Sequence, residues 1–230
     1  MCEMKVEIFD ELPSTQTYAK GRRERGEDVI IVAKAQSCGM GTKGRSFSSS
    51  EGGVYLSKLN FYEAFPAKDA FTIMANTAVA VCDTLRAFGI EGRIKWPNDV
   101  FVQDKKICGI LIENVFSGGN IRSSVVGVGL NVNNELPADL CEIATTMYEV
   151  TGKNFFVEEV RARLIEELSK PKDMQSYLSY LGYMGRKVML ILGDERIPAT
   201  LLSVDEQGGL WVEIQGERRR LTAGEVSIKI

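Results

Sequence analysis

The segment Lys95–Glu113, KWPNDVFVQDKKICGILIE, combines a turn with a β-hairpin. Pro97-Asn98-Asp99 is a cluster typical of turns, and Val100–Val102 and Lys106–Glu113 flank Gln103–Lys105 as the two strands of a hairpin. A lysine in a hairpin beside an Asn-Asp pair is suited to the phosphates of a nucleotide and to their metal ion. For any single residue, an exposed hairpin with a Trp-Pro turn is the simpler explanation.

Two glycine-containing segments lie on either side of this hairpin. Gln36–Phe47, QSCGMGTKGRSF, interleaves three glycines with Lys43 and Arg45, so its backbone amides can approach an anion. Its spacing does not fit a Walker A loop, and a flexible surface loop is the open alternative. Val126–Asn133, VGVGLNVN, indicates a strand approached closely by a ligand or another backbone, with Asn131 suited to a base or ribose. A packed strand with a β-bulge is the alternative there.

Periodicity predicts the surrounding elements. Alternating or β-branched runs predict strands at Lys5–Phe9, Asp28–Ala35, Val54–Leu59 and Ser124–Val132, with a hairpin turn at Ser117–Asn120 before the last. Helical spacing predicts helices over 15–25, with Ser14-Thr15 as its N-cap, over 67–88 and over 156–169. The apolar stripe of the second helix is Phe71, Met74, Ala75, Ala78, Val81, Cys82 and Leu85, and that of the third is Phe156, Val160, Leu164 and Leu168. From about residue 184 short strands follow closely, at Lys187–Leu192, Ile197–Val204, Leu210–Ile214 and Arg218–Leu221. This change to short, closely spaced strands predicts a domain boundary near Gly182–Gly185 and a small barrel after it.

The composition excludes several classes of chemistry. The chain contains no histidine, which excludes Ser–His and Cys–His catalysis and histidine-ligated metals. Its five scattered cysteines argue against zinc and disulfides and for a reducing compartment. No apolar run suits a signal peptide or a membrane span, and the net charge of −3 argues against a nucleic-acid surface. We therefore expect a cytoplasmic protein that contacts neither membrane nor DNA.

The order and sequence of these segments resemble the catalytic domain of biotin–protein ligases. In that family a Ser-Thr-Asn stretch comes first, matched here by Ser14-Thr15-Gln16. A glutamine and the loop Gly-Arg-Gly-Arg-x-Gly-Arg-x-Trp follow, matched by Gln36 and Gly39–Phe47. Lys-Trp-Pro-Asn-Asp with a lysine seven residues later is matched by Lys95–Asp99 and Lys106, and a Gly-x-Gly-x-Asn strand by Val126–Asn131. The resemblance covers essentially the whole chain.

The resemblance implies an α+β fold with two domains. Residues 1–183 would form a catalytic domain, a mixed β-sheet packed by helices, and residues 184–230 a C-terminal SH3-like β-barrel. Some family members carry an N-terminal DNA-binding winged helix, and the residues before Ser14 leave no room for one. We therefore expect the short form of the enzyme.

The resemblance also implies a reaction and its site. Biotin and Mg-ATP would give biotinyl-5'-adenylate, and biotin would then pass to a lysine of a biotin carboxyl carrier protein. Lys106 and Arg45 would be catalytic, and Asp99 would hold Mg²⁺. The implied biotin contacts are Ser14, Thr15, Gln16, Gln36, Gly39, Met40, Gly41, Thr42, Lys106 and Gly109. The implied ATP contacts are Lys43, Arg45, Lys95, Asn98, Asp99 and Asn131.

The sequence departs from the family pattern at several positions. Met40 and Thr42 stand where arginines are usual, Phe47 where tryptophan is usual, and Gln16 where asparagine is usual. Losing two cations from the loop predicts a weaker grip on the adenylate and leakage of it onto unrelated lysines.

Two other functions remain open at this stage. A lipoate ligase is related by fold, but its signature includes a histidine, which this chain lacks. A biotin or biotinyl-adenylate binding protein without ligase activity would explain the missing arginines, but would not need Lys95, Asp99 and Lys106 together. The sequence does not decide between a monomer and a homodimer.

Overall fold

Two β-sheets and five helices make up the part of the chain described by the computed structural model, residues 4–223 with the backbone of residues 227–229. The first sheet has seven strands: β1 Lys5–Leu12, β2 Val29–Gln36, β3 Val54–Phe61, β4 Arg93–Lys95, β5 Asp99–Val102, β6 Lys105–Ser117 and β7 Asn120–Leu130. Their spatial order is β1-β2-β3-β7-β6-β5-β4. Only the β1–β2 pair is parallel among these strands, which confirms the expected mixed sheet.

The helices are α1 Thr15–Gly21, α2 Ala70–Ala87, α3 Met147–Thr151, α4 Val157–Glu167 and α5 Met174–Tyr180. Ser14 caps α1 as expected, because its Oγ accepts a hydrogen bond from the Thr17 amide at 3.4 Å. This helix ends earlier than predicted, and a single 3₁₀ turn at Arg23–Arg25 follows it. No described helix is both long and apolar enough to cross a membrane.

The predicted apolar stripe of α2 faces the sheet and forms the centre of the core. Ala75, Ala78, Val81, Cys82 and Leu85 are fully buried. They belong to one cluster with side chains from the strands of the sheet, so their burial stabilises the α2–sheet interface.

The stripe predicted for α4 is only partly right. Val160 and Leu164 are fully buried, and Leu168 packs against the same cluster. Phe156, however, precedes the helix as its N-cap residue and is 76% exposed. The prediction was wrong for Phe156 because a residue outside the first helical turn does not follow the helical period.

Two tight hairpins build the centre of the first sheet. Gln103 and Asp104 both adopt positive φ, 51° and 62°, which is the geometry of a two-residue type I′ turn between β5 and β6. Gly118 and Gly119 turn β6 into β7 in the same way, with φ of 58° and 79°. The β6–β7 hairpin is thereby held in a register that places Gly109 opposite Gly129.

The second sheet contains β8 Lys187–Leu192, β9 Glu195–Val204, β10 Leu210–Ile214, β11 Glu217–Leu221 and β12 Ser227–Lys229. All its described pairs are antiparallel, in the order β11-β10-β9-β8-β12. The predicted strands are therefore present. Between the described strands no pairing joins β11 to β12, so closure of this sheet into a barrel stays a prediction.

The hydrophobic core runs without a break from one sheet to the other. Leu190, Leu201 and Leu210 of the second sheet share a cluster with Leu85 of α2 and with Trp96. The division at residue 184 into two domains stays a prediction, since the change of sheet coincides with it but the core does not stop there.

Candidate active site

A cleft of about 460 Å³, partly open to solvent, lies on the β6–β7 hairpin and under the loop that follows β2. The residues lining it are Ser14, Thr15, Gln16, Gln36, Met40, Gly41, Thr42, Phe47, Leu56, Ser57, Asn98, Lys106, Gly109, Ile110, Leu111, Gly127, Val128 and Gly129. The three sequence segments thus meet in one place. Of the ten expected biotin contacts, Gly39 alone does not line the cleft.

Glycines make the floor of the cleft accessible. A Cβ atom at Gly129 would lie 2.5 Å from Cε1 of Phe47, and one at Gly127 would lie 2.6 Å from Oε1 of Gln16. Gly109, opposite Gly129, is approached by the same Phe47 ring. Side chains of α1 and of the loop therefore approach the glycine strand closely. The predicted approach of a ligand to this strand stays a prediction.

Hydroxyl and amide groups form a connected network at one part of the cleft. Oε1 of Gln36 accepts hydrogen bonds from the Thr15 amide at 2.8 Å and from its Oγ1 at 3.1 Å. Thr15 Oγ1 also lies 2.9 Å from Oγ of Ser57, which is fully buried. Gln36 Nε2 donates to Ser49 Oγ at 2.8 Å. These bonds fix the side chains before any ligand arrives.

The Gln16 side chain is held in one amide orientation. Its Nε2 donates to Oε2 of Glu113 at 2.8 Å and to the Val125 carbonyl at 3.2 Å, and its Oε1 accepts from Ser57 at 3.1 Å. Lys20 pairs with the other carboxylate oxygen of Glu113 at 3.0 Å. Because both N–H groups are engaged, Gln16 can offer a ligand only its carbonyl oxygen.

The Glu113 carboxylate stays charged beneath Gln16. Burial by itself raises the pKa of Glu113, but hydrogen bonds from Gln16 and Lys20 and the charges of Lys20 and Arg23 outweigh it and hold that pKa below the ordinary value. A charged Glu113 is acceptor-only, which keeps the Gln16 amide from flipping.

Cations gather where β5 and β6 meet the loop. Lys106 Nζ lies 2.6 Å from Asp99 Oδ1 and 5.9 Å from the centre of the Phe47 ring. The Lys106 backbone is paired on its outer side, donating to the Ile143 carbonyl at 2.9 Å and accepting from the Thr145 amide at 2.9 Å. The lysine therefore starts from a fixed strand position.

Lys95 adds a second cation to this region. Burial lowers the pKa of the Lys95 ammonium, and the charges of Lys106 and Arg45 lower it further while Asp99 opposes them. The Lys95 ammonium therefore lies in a region of positive charge, which suits a polyanionic ligand such as the phosphates of a nucleotide.

The loop Gly39–Phe47 folds back on itself as a small hairpin. The Gly41 amide donates to the Arg45 carbonyl at 2.7 Å, and the Phe47 amide donates to the Gly39 carbonyl at 2.9 Å. Gly39 is buried inside this fold, where an added Cβ would lie 2.2 Å from the Phe47 carbonyl oxygen. Its role is structural in this conformation.

The expected ATP contacts are only partly brought together. Asn98 lines the cleft and its Nδ2 donates to the Ile110 carbonyl at 2.9 Å. Lys43 and Arg45 are exposed and do not line the cleft. Asn131 is 4% exposed, and its amide donates to the Thr145 carbonyl at 3.1 Å and accepts from Asn134 at 3.3 Å. The nucleotide roles of these residues stay predictions.

Sequence reasoning missed several residues of the cleft. Ser57 and Glu113 belong to its hydrogen-bond network, and Leu56, Leu111 and Val128 line its walls. Ser57 had a readable signal, because a polar residue inside the apolar run VYLSKL is costly to bury without a partner. Glu113 had none, since its partner Gln16 is distant in sequence.

The described residues offer no preformed metal site. No group of three or more His, Cys, Asp or Glu side chains among them is arranged to hold a metal ion. Asp99, the expected magnesium ligand, is engaged with Lys106. The role of Asp99 toward Mg²⁺ stays a prediction.

Comparison with known proteins agrees with this geometry. Residues 8–131 match the family model described as "Biotin/lipoate A/B protein ligase family". The chain is 30% identical over 240 residues to the bifunctional ligase/repressor BirA of Escherichia coli, an alignment covering 97% of this chain and 74% of that protein. It is 24% identical to the biotin–[acetyl-CoA-carboxylase] ligase of Mycobacterium tuberculosis, covering 96% of this chain and 88% of that one.

Solved structures give the same result. The biotin protein ligase of Aquifex aeolicus in complex with biotin and ATP superposes with a TM-score of 0.78 at 30% identity, covering 98% of each chain.

Proposed function

Because the chain belongs to the biotin/lipoate A/B protein ligase family and is a biotin ligase, we propose that it forms biotinyl-5'-adenylate from biotin and ATP. In a second step it transfers biotin to a lysine of a biotin carboxyl carrier protein. The observation that carries this proposal is the polarity of the cleft, which offers neutral acceptors and donors at one part and the Lys106 ammonium at another.

The neutral part complements the ureido group of biotin. A ureido group has two N–H donors and one carbonyl acceptor. Gln16 offers an acceptor only, and Gln36 keeps one N–H beyond its bond to Ser49, so both ureido functions find partners. Ser14 and Thr15, buried at the start of α1, complete this end. The apolar walls of Leu56, Ile110 and Val128 suit the body of the ligand.

The cationic part suits the chemistry. The biotin carboxylate attacks the α-phosphorus of ATP in line, a bond forms from carboxylate oxygen to phosphorus, and the bond to the β-phosphate bridging oxygen breaks to release pyrophosphate. Lys106 neutralises charge that develops on the α-phosphoryl oxygens, and Lys95, Asn98 and Arg45 help to hold the phosphates. Asp99, which pairs with Lys106, would be the residue to contact a Mg²⁺ ion that neutralises the phosphates.

Transfer then needs little from the protein. The neutral amine of the acceptor lysine attacks the carbonyl carbon of the mixed anhydride, an amide bond forms, AMP leaves and the ammonium proton passes to solvent. The cleft is open to solvent, so an acceptor side chain can enter from outside.

The loop distinguishes this chain within the proposal. Met40 and Thr42 line the cleft with uncharged side chains, and Met40 accepts a hydrogen bond from Thr17 Oγ1 at 3.4 Å. With no cation at either position, we expect the adenylate to be retained less firmly than by a loop with two arginines.

The test is incubation of the protein with biotin, Mg-ATP and a biotin carboxyl carrier domain, followed by mass spectrometry of the carrier. The carrier should gain biotin on its acceptor lysine, with at least one pyrophosphate released for each biotin attached. Saturable binding of biotin without pyrophosphate release would instead identify a binding protein and overturn the proposal.

A further inference from the structure

The hydrogen bond between Trp96 and Gly208 joins the second sheet to the active-site turn. The indole Nε1 of Trp96 donates to the Gly208 carbonyl at 3.0 Å, and Trp96 is 4% exposed. Gly208 lies in the β9–β10 connection, Asp205–Gly209, which we call the anchor turn. Trp96 opens the turn that carries Asn98 and Asp99, so this bond reaches the cleft from the other sheet.

The anchor turn is built around one carboxylate. Asp205 Oδ1 accepts from the backbone amides of Gln207 at 3.1 Å and Gly209 at 2.9 Å. Its Oδ2 accepts from Arg220 Nε at 2.6 Å and from Trp211 Nε1 at 3.1 Å. Both carboxylate oxygens of Asp205 are thus used within the second sheet, where they hold the anchor turn in place.

Sterics fix where the anchor turn docks. Gly208 has a φ of 77°, and an added Cβ would lie 2.1 Å from Cδ2 of Phe71 on α2. Phe71 packs edge-on against Tyr177, with ring centres 5.4 Å apart, and the Tyr177 hydroxyl donates to the Pro97 carbonyl at 3.1 Å. The turn at Trp96–Asp99 is thus held from the second sheet, from α2 and from α5.

The position of the Trp96–Asp99 turn affects the side chains proposed to act on the phosphates. Beyond Trp96 and Pro97, Asn98 lines the cleft and is tied to Ile110, and Asp99 pairs with Lys106. A shift of the Trp96–Asp99 turn therefore moves Asp99 and the Lys106 ammonium together, while the neutral end of the cleft on α1 and β3 does not depend on it.

From this chain of contacts, and resting on the proposed function, we propose that Asp205 is a positioning residue for adenylate formation. It acts through the Gly208–Trp96 hydrogen bond and sets the place of the phosphate-binding groups without touching any substrate. The second sheet is then part of the catalytic apparatus even though the cleft lies on the first.

The experiment compares Asp205→Ala with wild type in pyrophosphate release and in biotin affinity without nucleotide. We expect a rate loss on the order of 10- to 100-fold, because small misplacements of reacting groups have effects of this size. Biotin affinity should be unchanged. Asp205→Asn keeps an acceptor for the two amides but loses the acceptor used by Arg220 and Trp211, so it should recover part of the rate. Asp194→Ala, at an exposed turn of the same sheet, is the matched control and should behave as wild type.

A second variant tests the route and does not depend on the folding of the first. Trp96→Phe keeps a ring and removes the N–H donor, so it should lower the rate with the anchor turn intact. Combined with Asp205→Ala, it should cost no more than the worse single change, because both break the same connection.

Three results would overturn the inference. They are a wild-type rate in Asp205→Ala, an equal loss of biotin affinity and rate, or additive losses in the double variant. An inactive wild-type protein would instead overturn the proposed function, and this inference with it.

Discussion

Lys106 and Asp99 form an ion pair of 2.6 Å across neighbouring strands, although Asp99 is in register with Gly109 rather than with Lys106. The lysine side chain therefore leans along its strand toward the floor of the cleft, and its Nζ would lie 3.1 Å from a Cβ at Gly109. In the proposed reaction, phosphates that enter the cleft would compete with Asp99 for this ammonium. Until then the ion pair holds the Lys106 side chain in this direction.

Replacing Lys106 with methionine should slow adenylate formation on the order of 10²–10³-fold, the usual effect of removing one donor that stabilises developing charge. Single-turnover pyrophosphate release measures this directly. Lys105→Met changes the same charge one residue earlier, where the ammonium bonds the Cys141 carbonyl instead, and serves as the control. Equal rates in the two variants would remove Lys106 from the centre of the reaction.

Replacing Gln16 with leucine should weaken biotin binding about 10-fold or more, because a buried ligand N–H would lose its acceptor, at a cost of roughly 1–3 kcal/mol. Isothermal titration with biotin alone measures the change. Gln175→Leu makes the same substitution on the exposed face of α5 and should leave the affinity intact. An unchanged affinity in Gln16→Leu would mean that the ureido group lies elsewhere.

Restoring arginines in Met40→Arg/Thr42→Arg should lengthen the half-life of bound biotinyl-adenylate. The two added cations would stand on the wall of the cleft, where Met40 and Thr42 now lie. Ser37→Arg/Ser46→Arg adds the same charge at exposed positions of the loop that do not line the cleft, and should have no such effect. Equal half-lives in wild type and the first variant would contradict the expectation.

Biotinylation in a whole lysate tests the leakage itself. Wild-type protein should label many lysines, since released adenylate reacts without a docked acceptor, and the Met40→Arg/Thr42→Arg variant should label fewer. Labelling confined to one carrier protein would show that the adenylate stays bound.

Glu167 should make the fold acid-sensitive. Burial by itself raises the pKa of Glu167, but bonds and charges from Lys170 and Lys172 outweigh it and hold the pKa at about 2, below the ordinary 4.5. A lowered folded-state pKa means that the carboxylate stabilises the protein above pH 4.5, and that this contribution is lost as pH falls toward 2. The melting temperature of wild type should exceed that of Glu167→Gln above pH 5 and approach it near pH 2. Glu159→Gln, exposed on the same helix, is the control, and a constant difference across this range would contradict the assignment.

Local patterns carried much of the fold. Several elements follow from periods and turn residues that lie close together in sequence. They are the α2 stripe, the Ser14 cap, the turns of the two central hairpins, and the strands from β8 to β11. The short helices α3 and α5 escaped detection, because each offers too few residues for a helical period. Thr146 and Glu149 do form a capping box at the start of α3, which is the signal that was available.

The sequence could not predict hydrogen-bond partners that the strand order and the packing of the sheets bring together. The Gln16–Glu113 bond depends on α1 lying over β6 and β7, and the Trp96–Gly208 bond on one sheet docking against the other. Neither follows from a local pattern. Closure of the second sheet into a barrel is also not a local property. The sequence pattern predicts the strands, while closure depends on how the first and last of them meet.

The contact of Gly208 with Phe71 also limits how the two parts of this molecule can be exchanged. A chimera that takes residues 184–230 from a relative inherits a foreign surface at this seam, and any side chain at position 208 would collide with Phe71. Recombination near residue 184 should therefore yield folded but slow enzymes, unless Gly208 and its partner Trp96 are both taken from the same parent. The two sheets should therefore be exchanged only with matched residues on both sides of the seam, although the sequence suggests two separable modules.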